Sequence, residues 1–135
     1  MQGHLIVARF IDGRIEKGIS TDVDPKRMTC HLLTPEGKKV TVDLANVKAL
    51  FFVKTPGGKP EYHEAKGQSA GDSRLLGTKR VRMVFADKEE IVGLMNRFPP
   101  ITPYFFVLPI DPKSNNIRIL VNRAAVMEMT EVKAA

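Results

Sequence analysis

The chain has one cysteine, no run of about 18 apolar residues and no polybasic tail, and each shortage closes off a class of protein. A lone Cys30 cannot build a disulfide framework, which needs pairs. Without a long apolar run no transmembrane helix is expected, and membrane is not an expected partner. The opening Met1-Gln2-Gly3-His4 lacks the charged and apolar regions of a secretory signal, so a cytoplasmic location is expected. His4, His31 and His63 are scattered, and with one cysteine they offer no zinc spacing. Cys30 and His31 are adjacent, which sends their side chains to opposite faces of a strand and rules out a local nucleophile–base pair.

A phosphate loop is absent too. Gly71-Asp72-Ser73-Arg74-Leu75-Leu76-Gly77-Thr78-Lys79 has its glycines one position too far apart, and lysine does not directly follow the second. No catalytic residue, metal or cofactor is therefore expected, and the chain reads as a non-enzyme. The charge is basic but dispersed. The net +6 over 135 residues divides into about +3 per half, with 11 basic and 8 acidic side chains over residues 1–66 and 10 and 7 over residues 67–135. Such a balance suits a mixed-charge surface better than a dedicated phosphate-binding one.

What the sequence does contain is a pattern stated twice. Phe10-Ile11-Asp12-Gly13-Arg14-Ile15-Glu16-Lys17-Gly18 reads as strand, tight turn and strand, and Phe85-Ala86-Asp87-Lys88-Glu89-Glu90-Ile91-Val92-Gly93 echoes it with Phe, Asp and the closing Gly in step. Asp12-Gly13 signals a hairpin turn, since glycine tolerates positive φ. Gly18 and Gly93 mark a sharp bend or a close backbone approach.

Strands are expected at Leu5 to Ile11, Arg14 to Thr21, Met28 to Thr34, Lys39 to Leu44 and Val47 to Val53, with a corner at Ala45-Asn46. Ile6, Ala8 and Phe10 would share one face, and Val47 to Val53 is apolar on both. A second set follows at Lys79 to Ala86, Glu89 to Arg97, Tyr104 to Leu108, Ile117 to Val121 and Val126 to Met129. Val81, Met83 and Phe85 would point inward, with Asn122 to Ala125 as the corner. The turn Pro109 to Asn116 lengthens the second copy's hairpin, where Asp111 to Ser114 with Asn115 and Asn116 would build a hydrogen-bonded turn, asparagine tolerating left-handed geometry. One such insertion keeps five elements aligned, the mark of an internal repeat.

The expected fold is thus all-β: two tandem five-stranded barrels over residues 1–55 and 78–135, joined by a Gly-, Ser- and Pro-rich linker at 56–77. The first unit, with its apolar strand, Asp12-Gly13 turn and Gly18, resembles the Sm and Hfq family of SH3-like small barrels. The resemblance covers most of residues 5–53 and, more loosely, 79–129. It implies a small closed sheet and RNA contact from the fourth-strand segment, where Asp43-Leu44 and Asn122-Arg123 stand in place of the family's basic pair. The set Phe85, Asp87, Gly93, Asp111-Pro112, Asn115-Asn116 and Arg118 is also similar to an uncharacterised bacterial domain family.

Two roles follow as expectations. The first is a non-catalytic module that binds an unknown protein partner through loops or a barrel edge, with homo-oligomer formation open to it. The alternative is weak RNA or nucleotide binding through Arg80, Arg82, Arg118 and Arg123. The remaining marked residues, Asp12, Gly13, Gly18, Asp87, Gly93, Asn115 and Asn116, are expected to be turn and bend devices.

Overall fold

Runs of β-branched and aromatic residues punctuated by Gly, Pro, Asp and Asn can satisfy their peptide groups only in a sheet, and here they form one. The computed structural model describes residues 3–54, 78–111 and 114–132; the expected linker and His63 lie outside the described residues. Ten strands run in chain order: β1 (His4–Phe10), β2 (Ile15–Ser20), β3 (Thr29–Leu33), β4 (Lys39–Asp43), β5 (Val47–Val53), β6 (Lys79–Phe85), β7 (Glu90–Met95), β8 (Tyr104–Pro109), β9 (Asn116–Asn122) and β10 (Val126–Glu131). Short 3-10 turns, Leu44–Asn46 and Arg123–Ala125, make the two corners. Among the described residues no helix is long and apolar enough to cross a membrane.

The pairing corrects the expected architecture. All neighbours are antiparallel and form one open sheet in the order β10-β6-β7-β8-β9-β5-β1-β2-β3-β4, not two separately closed barrels. The reason lies in β5. Every one of its seven residues is buried, so it needs cover on both faces and a strand on each edge. It takes β1 on one side and β9 on the other.

Because side chains alternate along a strand, β5 feeds two cores on opposite faces of the sheet. Leu50 and Phe52 join Ile6, Ala8, Cys30, Leu32 and Val42. Ala49, Phe51 and Val53 join Val81, Met83, Phe85, Val107 and Val121. Each end of the sheet therefore curls onto its own core, and burial of Phe51 and Phe52 alone stabilises the seam by roughly 2–3 kcal/mol apiece.

The turn devices sit where the sequence places them. Gly13 adopts φ +95° and its N–H donates to the Phe10 carbonyl at 3.0 Å, while Asp12 accepts from the Arg14 amide at 2.9 Å. At the equivalent turn Lys88 carries φ +72°, its N–H donates to the Phe85 carbonyl at 2.8 Å, and Asp87 accepts from the Glu89 amide at 3.0 Å. Asp111, Ser114 and Asn116 form a hydrogen-bonded turn: the Ser114 N–H donates to the Asp111 carbonyl and the Ser114 hydroxyl accepts from the Asn116 amide, both at 3.0 Å. Asn115 and Asn116 take part without a positive φ, since Lys88 is the one described non-glycine residue that has it.

Gly18 and Gly93 mark close approach. A Cβ on Gly18 would stand 2.6 Å from the Leu33 carbonyl oxygen, and one on Gly93 would collide with Val107 and stand 2.9 Å from the Leu108 oxygen. Gly18→Ala and Gly93→Ala are each expected to cost about 1–3 kcal/mol in urea unfolding through overpacking. Lys88→Ala, which keeps a Cβ at a position that already bears one, should stay within about 0.5 kcal/mol of wild type. Equal losses at all three positions would contradict this.

Candidate functional site

The four arginines marked from sequence do not form one cleft. Arg80 and Arg82 lie on the β6 face opposite Val81 and Met83, and the same sheet face carries Arg118 on β9, three strand spacings or about 14 Å away. Arg82 is engaged by carboxylates: its Nε donates to Glu90 Oε2 at 2.9 Å, and its Nη1 lies 3.7 Å from Glu128. Arg118 packs against two rings that meet edge to face, 4.4 Å from the Phe52 centroid and 4.5 Å from that of Phe106. Arg123 donates from Nη1 to the Val126 carbonyl at 3.1 Å and so closes its own corner. Arg82, Arg118 and Arg123 are thus each engaged within the fold.

Two charged constellations were not legible beforehand. The first centres on Lys48 in β5, buried despite its charge. Its Nζ donates to Asp87 Oδ2 at 2.9 Å and to Glu89 Oε1, and it lies 4.8 Å from the Phe85 centroid. Arg9 joins from β1, 3.6 Å from Glu89 and over the Phe51 ring. The hydrogen bond from Lys48, with that of the Glu89 amide, holds the Asp87 carboxyl below its ordinary value. A lysine in the middle of an apolar run was the available signal, but its partners are about forty residues away in sequence.

The second is Asp22, which accepts from the Ser20 hydroxyl and the His31 amide, both at 2.9 Å, and meets His31 Nδ1 at 2.6 Å. Burial pushes this carboxyl up, but the His31 and Ser20 hydrogen bonds outweigh it and bring it down to about 2. Ser, Asp and His invite comparison with a nucleophilic triad, yet the order is wrong. The histidine should stand between hydroxyl and carboxylate, whereas Asp22 stands between Ser20 and His31. The trio ties the Pro25 loop to β3. Cys30 faces the other way, and burial, with the Asp22 charge, pushes its thiol up to about 11. Among the described residues no group of three or more His, Cys, Asp or Glu is placed to hold a metal.

Among the described residues the sheet also leaves backbone open to a partner. β4 and β10 are the two ends of the sheet. In an antiparallel pair, peptide groups point alternately toward and away from the neighbour. The Thr34 N–H to Lys38 carbonyl bond at 2.8 Å and the Leu44 N–H to Met28 carbonyl bond at 2.9 Å bracket the β3–β4 register. They turn the peptide groups of Lys39 and Thr41 away from β3. By the same count the Val132 N–H to Arg80 carbonyl bond at 2.8 Å turns those of Met129 and Glu131 away from β6. Lys38 and Lys39 make the first edge basic; Glu128 and Glu131 make the second acidic.

Comparison with known proteins adds one relationship. A family of unknown function, DUF6982, matches residues 2–133. The chain belongs to that family. No curated protein and no solved structure matches it, so the functional reading of this DUF6982 chain rests on its own geometry.

Two outcomes test that geometry. Asp22 has its folded-state value depressed from 3.8 to about 2, so its contribution is complete above pH 4 and is lost as pH falls through 2. Asp22→Asn is expected to cost about 1–2 kcal/mol at pH 7, and the gap from wild type should close across that acid window. A gap that persists at pH 2 would exclude the clamp. For Lys48, replacement by Met should cost about 1 kcal/mol because Asp87 and Glu89 regain water, while Lys48→Glu should cost more than about 3 kcal/mol by burying a third carboxylate there. Equal effects in urea unfolding would show that the charge is irrelevant.

Proposed function

We propose that the chain is a non-catalytic, cytoplasmic interaction module built from two Sm-like, SH3-like units fused edge to edge, which holds protein partners on its free strand edges. The observation that carries the role is the pair of terminal strands, β4 and β10, whose outward peptide groups offer ready-made hydrogen bonds to an added strand.

The two-unit reading is supported by topology and by local chemistry. The half β5-β1-β2-β3-β4 and the half β10-β6-β7-β8-β9 have the same order. The Asp12 and Asp87 turns make equivalent hydrogen bonds. At the corners Asp43 accepts from the Ala45 amide at 3.0 Å and Asn122 from the Ala124 amide at 3.1 Å. RNA binding is the less favoured role, because carboxylates balance Arg82 and the Arg118 guanidinium is engaged by the Phe52 and Phe106 rings.

The test compares wild type with Thr41→Pro, which removes an outward donor while leaving the β3–β4 ladder intact. A protein retained by wild type and lost by the variant should rebind when both are purified. Fluorescent single-stranded RNA should show no saturable binding at low salt. Saturable RNA binding that weakens steeply with salt and vanishes in Arg80→Ala/Arg82→Ala would overturn the reading in favour of nucleic acid.

A further inference from the structure

The seam between β5 and β9 is a strand-edge junction: the fifth strand of one half lies on the fourth strand of the other, with Leu50 opposite Leu120 and Phe52 opposite Arg118. A chain with two equivalent halves has that junction once inside and leaves its two components once outside. β10 is the fifth strand of the second half, and β4 is the fourth strand of the first. The geometry points to a second copy of this chain as the occupant of these edges, β10 of one copy adding antiparallel to β4 of the next. This names the partner for the edges proposed above and rests on that two-unit reading.

The register follows from the corners. Aligning Val126 with Val47, and Ala124 with Ala45, carries Leu50 and Phe52 onto Met129 and Glu131. It carries Leu120 and Arg118 onto Thr41 and Lys39. These four residues are the ones whose peptide groups independently point outward, as shown by the Thr34–Lys38 and Val132–Arg80 hydrogen bonds. Backbone polarity therefore agrees with the alignment. Thr41 falls opposite Met129, and Lys39 falls opposite Glu131, an opposite-charge cross-strand pair. Met127, 68% exposed, occupies in β10 the position of Lys48 in β5. Where Lys48 reaches the Asp87 turn, Met127 would reach the Asp12 turn of the next copy, beside Ile11, which is 56% exposed.

The outer joint differs from the inner one in strength. Ala49 and Phe51 of β5 are buried in the adjoining core, whereas their counterparts in β10 are Glu128 and Thr130. Backbone hydrogen bonds and charge hold the outer joint with little apolar burial, so it is reversible, concentration-dependent and sensitive to salt. The contact is head-to-tail, and such contacts close into rings or extend into filaments.

Light-scattering or sedimentation mass of the full chain, from about 10 μM to about 1 mM at low and high salt, reads the joint directly. The mass of wild type should rise above the 15.0 kDa of one chain with concentration and fall back with salt. Thr41→Pro should stay monomeric with an unchanged circular dichroism spectrum. Lys39→Glu and Glu131→Lys should each weaken association about tenfold, one ion pair's worth of affinity, and mixing the two variants should restore it.

A chain monomeric throughout, or an assembly indifferent to all three substitutions, overturns the inference. If the chain is monomeric yet a different purified protein still binds in a Thr41-dependent way, the interaction-module reading stands and only the second copy is excluded. If neither occurs, both fail. Mixing rescue also guards against misfolding of Thr41→Pro, since neither charge variant alters an internal hydrogen bond.

Discussion

A strand with no solvent-facing side cannot end a sheet, and β5 is such a strand. All seven of its residues are buried and Ala49 to Val53 alternate between two cores, so it must be flanked by β1 and β9 and covered above and below. Both halves of the molecule are organised by that demand. Asn122 reinforces the seam, its side-chain Nδ2 donating to the Val47 carbonyl at 2.9 Å, and Arg118 packs across it against Phe52 and Phe106. Loss of β5 would open two cores at once, which makes the halves energetically dependent on each other.

The same constraint places the charges. Lys48 sits inside the seam because β5 has nowhere else to put it, and its ammonium reaches the edge of the core where Asp87 and Glu89 wait in the β6–β7 turn. The turn is itself strained, with Lys88 in a left-handed conformation that a glycine occupies in the other half. Its acidic flanks are therefore tied to the neighbouring half as well as to their own backbone. With β5 and β9 occupied by each other, the edges left over among the described strands are β4 and β10. A sheet whose inner edges are sealed by apolar side chains and whose outer edges carry opposite charges is suited to contact at its ends.

Much of this was legible locally. The alternation of Ile6, Ala8 and Phe10 or of Val81, Met83 and Phe85 determines which side is buried, and both sets fall in cores as their period requires. Gly18 and Gly93 announced close approach because no other residue suits it. The arginines were visible as charges, but their partners were not: nothing near Arg82 in sequence points to Glu128, and nothing near Arg118 points to Phe52. The same holds for Asp22 and His31, whose meeting depends on how the loop after β2 lies against β3. The Asn115-Asn116 stretch was legible as a turn, but the Ser114 hydroxyl that holds it was not.

The amino-acid order by itself determined the strands, their inward faces, the turns and the corners, because these depend on neighbours within a few residues and on a period of two. Tertiary structure alone decided which edges meet. Peptide N–H and C=O groups are the same in every strand, so Val47 to Val53, apolar on both faces, marked a strand that needs cover without naming the strand beside it. The choice of one open sheet over two closed barrels was settled by which pairing could bury β5 on both faces. That choice joined β5 to β9, gathered Lys48, Asp87 and Glu89 into one network, and left β4 and β10 at the ends.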